Sequence, residues 1–188
     1  MNNSKIRKLT YMALCMVVNY VAFAYGKINI PISAGGSTAI HIANAVVVLS
    51  AWILGPVYGG FAGAVGLSIA DLLDPRYITS APKTFIMKFM IGFIAGTVAD
   101  KLKLHEREDK GEMIKCAAIS AAAGLGFNVL VDPVFGYLYK RFILQVPAQA
   151  ASIIITWGAG VTALNAAVCT VVATLLYMSL YKTIRRLR

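Results

Sequence analysis

The sequence predicts an all-α membrane protein with six transmembrane helices and both termini in the cytoplasm. Hydrophobic residues make up 59% of the 188 residues and charged residues only 14%, whereas soluble domains average about 45–50% apolar and about 25% charged residues. At about 20 residues per spanning helix, the apolar runs suffice for about six spans with short loops. This composition excludes a disordered chain and leaves little length for a soluble catalytic domain. Residues 1–188 are therefore expected to form a single integral membrane domain.

The first apolar run covers residues 9–25 and follows a short basic segment. Ala22-Phe23-Ala24 resembles a signal-peptidase site, but the run is long for the apolar core of a signal peptide. We therefore expect an uncleaved first helix. Residues 26–38 are polar and glycine-rich, with alternating isoleucines in the first half, which predicts an irregular or short hairpin loop.

The second and third apolar runs form a pair. They cover residues 40–54 and 57–73, and both are short for membrane spans. Gly55-Pro56 lies between them, and a proline at that point is typical of a helix that ends and a new one that begins. The sequence thus predicts a helical hairpin that breaks at this dipeptide.

The second half of the chain contains three longer runs. The fourth span covers residues 82–102 and starts at a proline, which suits the first turn of a helix. Residues 101–115 form a strongly charged block that must lie outside the hydrocarbon core. The fifth span covers residues 114–138 and the sixth covers residues 150–181.

Basic residues orient this topology. Those predicted on the side of the termini number twelve: Lys5, Arg7, Lys8, Lys101, Lys103, Arg107, Lys110, Lys115, Lys182, Arg185, Arg186 and Arg188. Those on the opposite side number six: Lys27, Arg76, Lys83, Lys88, Lys140 and Arg141. The positive-inside rule therefore places both termini in the cytoplasm. The same rule accounts for the excess of lysine and arginine over acidic residues, so nucleic acid is not predicted as a partner. The three cysteines are isolated in apolar runs, so no disulfide framework, metal site or cofactor is predicted.

Polar side chains at membrane depth indicate where the function lies, because each costs several kcal/mol unless it is paired or hydrated. In the predicted topology they converge on the outer half: His41, Asn44, Asp71, Lys83, Lys88, Asn128, Asp132 and Trp157. Asn165 lies deeper. An ion relay would instead extend across the whole membrane. The asymmetry therefore predicts a pocket that opens to the outside.

Structural roles compete with ligand binding at each of these positions. Lys88 can pair with Asp71 or Asp132 instead of a ligand. Lys83 can extend its ammonium group to the membrane interface, His41 can cap the loop, and Trp157 can belong to an aromatic belt. Asp132-Pro133 can form a helix kink, and Asn44 and Asn165 can make interhelical contacts. Asp74, Arg76 and Tyr77 can lie on the surface of a loop.

A stand-alone small membrane carrier or an intramembrane enzyme is the alternative function. A carrier would need ionisable groups at the membrane midplane, and the sequence predicts none there. The enzyme lacks a convergent nucleophile and base: Gly66-Leu67-Ser68-Ile69 loosely matches a serine-protease motif, yet His41, the only histidine on the outer side, lies in an earlier span. No catalytic residue is therefore assigned.

Residues 35–44, 54–63, 71–73 and 81–92 carry a resemblance to a known family. The second to third span fits the family pattern hxxGPxxGxhxGxhxDhh as far as residue 65, while its aspartate, Asp71, stands four residues later than the pattern places it; PxxhhhKxhxG then follows. On these motifs, and on length and basic termini over essentially the whole chain, the protein resembles the substrate-binding S component of energy-coupling factor (ECF) vitamin transporters.

The resemblance implies a subunit, without an ATPase of its own, in the plasma membrane of a prokaryote. Such a subunit captures a B-group vitamin or precursor from outside. It docks on a transmembrane coupling subunit that rests on two cytoplasmic ATPases, and it delivers the vitamin by toppling in the bilayer. The family's ligand positions correspond here to Ser37, Thr38, Lys83, Lys88, Asn128, Asp132 and Trp157.

Docking on the coupling subunit is expected at Ala13, Val17, Gly59 and Gly63, although Val17 stands where the family often has alanine. The vitamin remains open among pyridoxine-like, hydroxymethylpyrimidine- or thiamine-like, pantothenate, folate and corrinoid ligands. Trp157, Tyr77 and Tyr137 favour one with an aromatic ring.

Overall fold

The computed structural model describes residues 3–32 and 35–187, and this part of the chain forms six α-helices and one β-hairpin. Their bounds are α1 (Asn3–Ala24), β1 (Lys27–Pro31), β2 (Ser37–His41), α2 (Ala43–Leu54), α3 (Pro56–Leu72), α4 (Ala81–Lys101), α5 (Lys110–Leu138) and α6 (Ala148–Leu187). The predicted all-α class is confirmed. Arg188, one of the basic residues counted above, and Ser33 and Ala34 of the predicted loop lie outside the described residues.

Four of the described helices are long and apolar enough to cross a membrane: α1, α4, α5 and α6. Helix α2 has 12 residues and α3 has 17. At 1.5 Å per residue these helices measure about 18 Å and about 26 Å, against about 30 Å for the hydrocarbon core. Six complete crossings and cytoplasmic termini therefore stay predictions.

The break between α2 and α3 lies where the sequence predicts it. Gly55 has a φ of 87°, a left-handed conformation that glycine adopts without steric cost. Pro56 follows as the first residue of α3, where its missing N–H is not needed. The two helices therefore form a hairpin around this dipeptide.

The predicted start of the second span at Ile40 is wrong. Ser37–His41 pairs as an antiparallel strand with Lys27–Pro31, with Lys27 opposite His41 and Pro31 opposite Ser37. β-Branched residues recur in both strands and favour extended backbone. Apolar character alone does not separate a short buried strand from a helix, which explains the error.

Helices α3 and α4 meet backbone against backbone. A Cβ atom on Gly92 would lie 2.7 Å from Gly60 Cα, and one on Gly96 would lie 2.7 Å from Pro56 Cα. The four-residue spacing of small residues predicts such close approach, and the structure confirms it.

The bundle has two distinct ends. We call the end that carries β1 and β2 the hairpin end, and the opposite one the terminal end. At the terminal end, Tyr177 Oη of α6 lies 3.4 Å from the Leu104 carbonyl oxygen, and Lys8 Nζ lies 5.9 Å from the centre of the Tyr58 ring. The basic segments near both termini and after α4 therefore lie at one end, as the topology requires.

Candidate functional site

A cavity of about 150 Å³ lies at the hairpin end, between the β-hairpin and the helices. Of the ten predicted ligand-binding residues, nine line it: Ser37, Thr38, His41, Asn44, Asp71, Lys83, Lys88, Asn128 and Asp132. The tenth, Trp157, does not line the cavity, and 60% of its surface is exposed. This position fits the aromatic belt better than a ligand contact. Ligand binding by the nine stays a prediction, but the structure brings them together.

Other lining residues escaped the sequence-based selection. The apolar ones supply walls: Phe23, Leu67, Met87, Ile154 and Ile155. The polar ones include Tyr77, Thr84 and Lys140. A signal for Lys140 exists in the sequence, because it follows Asp132 by eight residues, a spacing that keeps two side chains near the same face of a helix.

The two carboxylates of the cavity are occupied by residues of α4. Lys83 Nζ lies 2.7 Å from Asp132 Oδ1, and both side chains are less than a fifth exposed, at 17% and 18%. Thr84 Oγ1 donates a hydrogen bond of 2.5 Å to Asp71 Oδ2. Gly136 provides the space for the first pair, since a Cβ there would lie 3.3 Å from Lys83 Nζ.

Lys88 lies deeper in the cavity and has no direct partner. Its ammonium group makes no hydrogen bond or ion pair with the residues that the structure describes. Asp132, Lys83 and Asp71 are close enough to act on its charge, but both carboxylates are bound elsewhere. The predicted alternative, a structural pair with Asp71 or Asp132, is therefore wrong for this structure. A half-buried cation remains free to bind a ligand.

Three buried polar atoms of cavity-lining residues also have no hydrogen-bond partner within residues 3–32 and 35–187: His41 Nδ1, Asn44 Oδ1 and Asn128 Oδ1. Their residues are exposed by only 9%, 3% and 4%. An unsatisfied buried polar group costs about 1–3 kcal/mol, and native proteins keep few of them. Each of these atoms can therefore take a hydrogen bond from ordered water or from a polar ligand.

Asn165 of α6 holds one edge of the hairpin over the cavity. Its Oδ1 accepts a hydrogen bond of 3.1 Å from His41 N, and its Nδ2 donates one of 2.9 Å to the Ala39 carbonyl. The expected interhelical contact is therefore wrong, because the amide bonds strand β2. The side chain replaces the neighbouring strand that β2 lacks on this edge.

The segment after α3 holds the other edge. Lys27 Nζ of β1 lies 2.7 Å from Asp74 Oδ2, and Arg76 Nε lies 3.0 Å from Asp74 Oδ1. Tyr77 Oη lies 3.1 Å from Ser37 Oγ. Tyr77 is 9% exposed, so the expected loop-surface role is wrong for this residue.

Charge and burial set the ionisation of this second edge. Hydrogen bonds from Arg76 and Lys27 hold the pKa of Asp74 well below its usual range. The stability that this carboxylate contributes is therefore fully present above about pH 4, its unfolded pKa, and is lost only as the pH falls through the lower folded pKa. Burial raises the pKa of the Tyr77 phenol, which keeps its hydroxyl neutral.

The predicted docking residues fall into two groups. Ala13 and Val17 are exposed on α1. Gly59 and Gly63 are buried: a Cβ on Gly59 would collide with the backbone of Ala51, and one on Gly63 would lie 2.6 Å from Val47 Cγ1. The expected docking role of these two glycines is therefore wrong, because they pack α3 against α2.

Comparisons with known proteins agree with this architecture. A family model described as "ECF-type riboflavin transporter, S component" matches residues 3–182. The fold is similar to the crystal structure of the S component for biotin from an ECF-type ABC transporter, with a TM-score of 0.59 and 21% sequence identity over 95% of this chain and 94% of that chain. No curated protein matches the chain significantly.

Proposed function

This chain belongs to the family of ECF-type riboflavin transporter S components, and we propose that it binds riboflavin in the cavity at the hairpin end. Members of such a family are vitamin-binding membrane subunits of a transporter and not enzymes. Riboflavin was not among the ligands that the sequence suggested, although it has the aromatic ring that the sequence favoured.

The observation that carries the proposal is the set of unpartnered polar groups around the cavity. Riboflavin joins a flat tricyclic ring, which presents an N–H between two carbonyl groups, to a ribityl chain with several hydroxyls. Asn44 Oδ1 and Asn128 Oδ1 can accept from the N–H or from hydroxyls, and Lys88 can donate to a carbonyl. Phe23, Met87 and the other apolar walls suit the ring faces.

The cavity must enlarge to admit such a ligand. Its volume of about 150 Å³ is below the ~300–1,000 Å³ that is typical of ligand pockets. The hairpin covers the cavity without being part of the helical bundle. We therefore expect the hairpin to move away from the segment after α3 when riboflavin enters.

In the proposed orientation the hairpin end faces the outside and the basic terminal end faces the cytoplasm of a prokaryotic cell. Helix α1 is proposed to dock on a transmembrane coupling subunit that two ATPases drive, and the subunit then topples to carry its cavity inward. The low burial of α1 supports this choice. Of the residues in its most apolar stretch, 11% are buried, against 22–39% in the other three helices that are long enough to cross a membrane.

Riboflavin binding is expected without ATP or any partner subunit. The detergent-purified protein should quench flavin fluorescence with a dissociation constant in the nanomolar range, because the bound vitamin would satisfy Lys88 and several buried polar atoms at once. Biotin, thiamine and pantothenate at a hundredfold excess should not displace riboflavin. Tight binding of one of these vitamins with none of riboflavin would contradict the proposal.

Docking through α1 predicts that binding and uptake can be separated. Val17→Trp should leave riboflavin binding unchanged and reduce riboflavin uptake in cells that also express the coupling subunit and ATPases. Val171→Trp on α6 is the matched control, because both valines are 58% exposed. Equal uptake by the two variants, or a loss only in Val171→Trp, would exclude α1 as the docking helix.

A further inference from the structure

A second lysine at the cavity lacks a partner. Lys140 lines the cavity and is half-buried. Its ammonium group makes no hydrogen bond or ion pair with any residue in the described part of the chain. Lys83 and Asp132 are close enough to act on its charge, but Asp132 is already bound by Lys83 at 2.7 Å. Lys140 therefore adds a surplus positive charge to the cavity.

The end of α5 holds Lys140 on the side that faces the cavity. Asn128, Asp132, Gly136 and Lys140 are spaced by four residues, and the three that carry polar side chains all line the cavity. Lys140 lies in a π-helical turn, Tyr139–Ile143, which ends α5. Such turns are rare and occur frequently at functional sites. The next residue, Arg141, is exposed and is absent from the cavity lining.

The two unpaired lysines lie at different depths. Lys88 is in the third turn of α4, below the pair of Lys83 and Asp132, whereas Lys140 is beyond the hairpin-end terminus of α5. A ligand that satisfies both lysines must carry hydrogen-bond acceptors at two separate positions. Riboflavin meets this requirement with its ring carbonyls and its ribityl hydroxyls.

We propose that Lys140 is a specificity-determining residue that donates hydrogen bonds to the ribityl oxygens of riboflavin, while the ring system occupies the deeper part near Lys88. This inference rests on the proposed function. It explains why a cation with no protein partner is held at the cavity by a rare type of helical turn. It also predicts that Lys140 distinguishes flavins by their side chain and not by their ring.

The test compares riboflavin with lumiflavin, which has the same ring but a methyl group in place of the ribityl chain. Lys140→Met should lower riboflavin affinity by about 10- to 100-fold, the usual range for a lost hydrogen bond to a charged group, and should leave lumiflavin affinity within about twofold. Arg141→Met removes the same charge from the neighbouring exposed position and should change neither affinity. Lys140→Arg should restore part of the preference for riboflavin.

Each result decides the inference. Equal affinity of the wild-type protein for the two flavins, unchanged riboflavin affinity in Lys140→Met, or equal losses in Lys140→Met and Arg141→Met would overturn it. Lumiflavin binding reports that a variant is folded, and Lys140→Gln replaces a methionine variant that does not purify. If the wild-type protein binds neither flavin, the proposed function fails. If it binds riboflavin and Lys140→Met binds it equally well, this inference alone fails.

Discussion

Lys88→Met is expected to reduce riboflavin affinity by about 100-fold, which corresponds to the upper range for a hydrogen bond to a charged group. Lys88 is the deepest cation of the cavity, and in the described part of the chain it forms no ion pair with Asp71 or Asp132, which bond Thr84 and Lys83 instead. A ligand acceptor is therefore its proposed partner, and methionine retains the length of the side chain while removing the donor. Fluorescence titration of the purified variant measures the loss.

Thermal stability separates a ligand contact from a structural role. Removing a buried charge that lacks a partner relieves a desolvation cost, so the unfolding temperature of ligand-free Lys88→Met should stay the same or rise. Lys101→Met, an exposed lysine on the same helix, is the matched control and should affect neither quantity. Full riboflavin affinity in Lys88→Met, or lost affinity together with a lower unfolding temperature, would show that Lys88 does not act as proposed.

Gly92→Ala is expected to lower the stability of the protein clearly. The added Cβ would lie 2.7 Å from Gly60 Cα and 3.0 Å from Gly60 N, and backbone atoms cannot rotate away as a flexible side chain can. Overpacking of this kind costs about 1–3 kcal/mol of unfolding free energy. The cost exceeds the gain of up to about 1 kcal/mol that alanine brings to a helix interior. The thermal unfolding temperature of the detergent-solubilised protein measures the difference.

Gly126→Ala provides the control for this substitution. Gly126 lies within α5, and a Cβ there would meet nothing within 4 Å. Alanine at this position should therefore keep or raise the unfolding temperature. Equal behaviour of the two variants would mean that α3 and α4 do not meet as closely as the structure places them.

Much of the fold could be predicted because the sequence marks it locally. Gly55-Pro56 ends one helix and begins the next, and the spacing of Gly92 and Gly96 predicts a close helix contact. The start of α2 could not be predicted, since Ile40 is apolar in a strand as well as in a helix. Helices α1 and α6 also extend beyond their apolar runs, because helical hydrogen bonds continue into polar flanks where hydropathy no longer marks them.

Which residues surround the cavity could largely be predicted, but how they pair with one another could not. Ionisable residues at membrane depth are costly, and this cost alone indicated Lys83, Lys88 and Asp132. Which lysine neutralises Asp132 depends on helix rotation and on the space at Gly136, and neither can be read from spacing. For Trp157 the residue type alone was ambiguous, because tryptophan can stack on a ligand ring or lie at the lipid interface. Its exposure in the structure favours the lipid interface.

The pairing of strand β2 has a consequence for how the cavity opens. Its two bonds to Asn165 lie inside the protein, and the Lys27–Asp74 pair on the β1 side is also largely shielded, since 6% and 12% of these side chains are exposed. Solvent reaches the β1 side through the Arg76 guanidinium, whose side chain is 53% exposed. Strand β2 should therefore stay bonded to α6 when the cavity opens, and the β1 side should separate first.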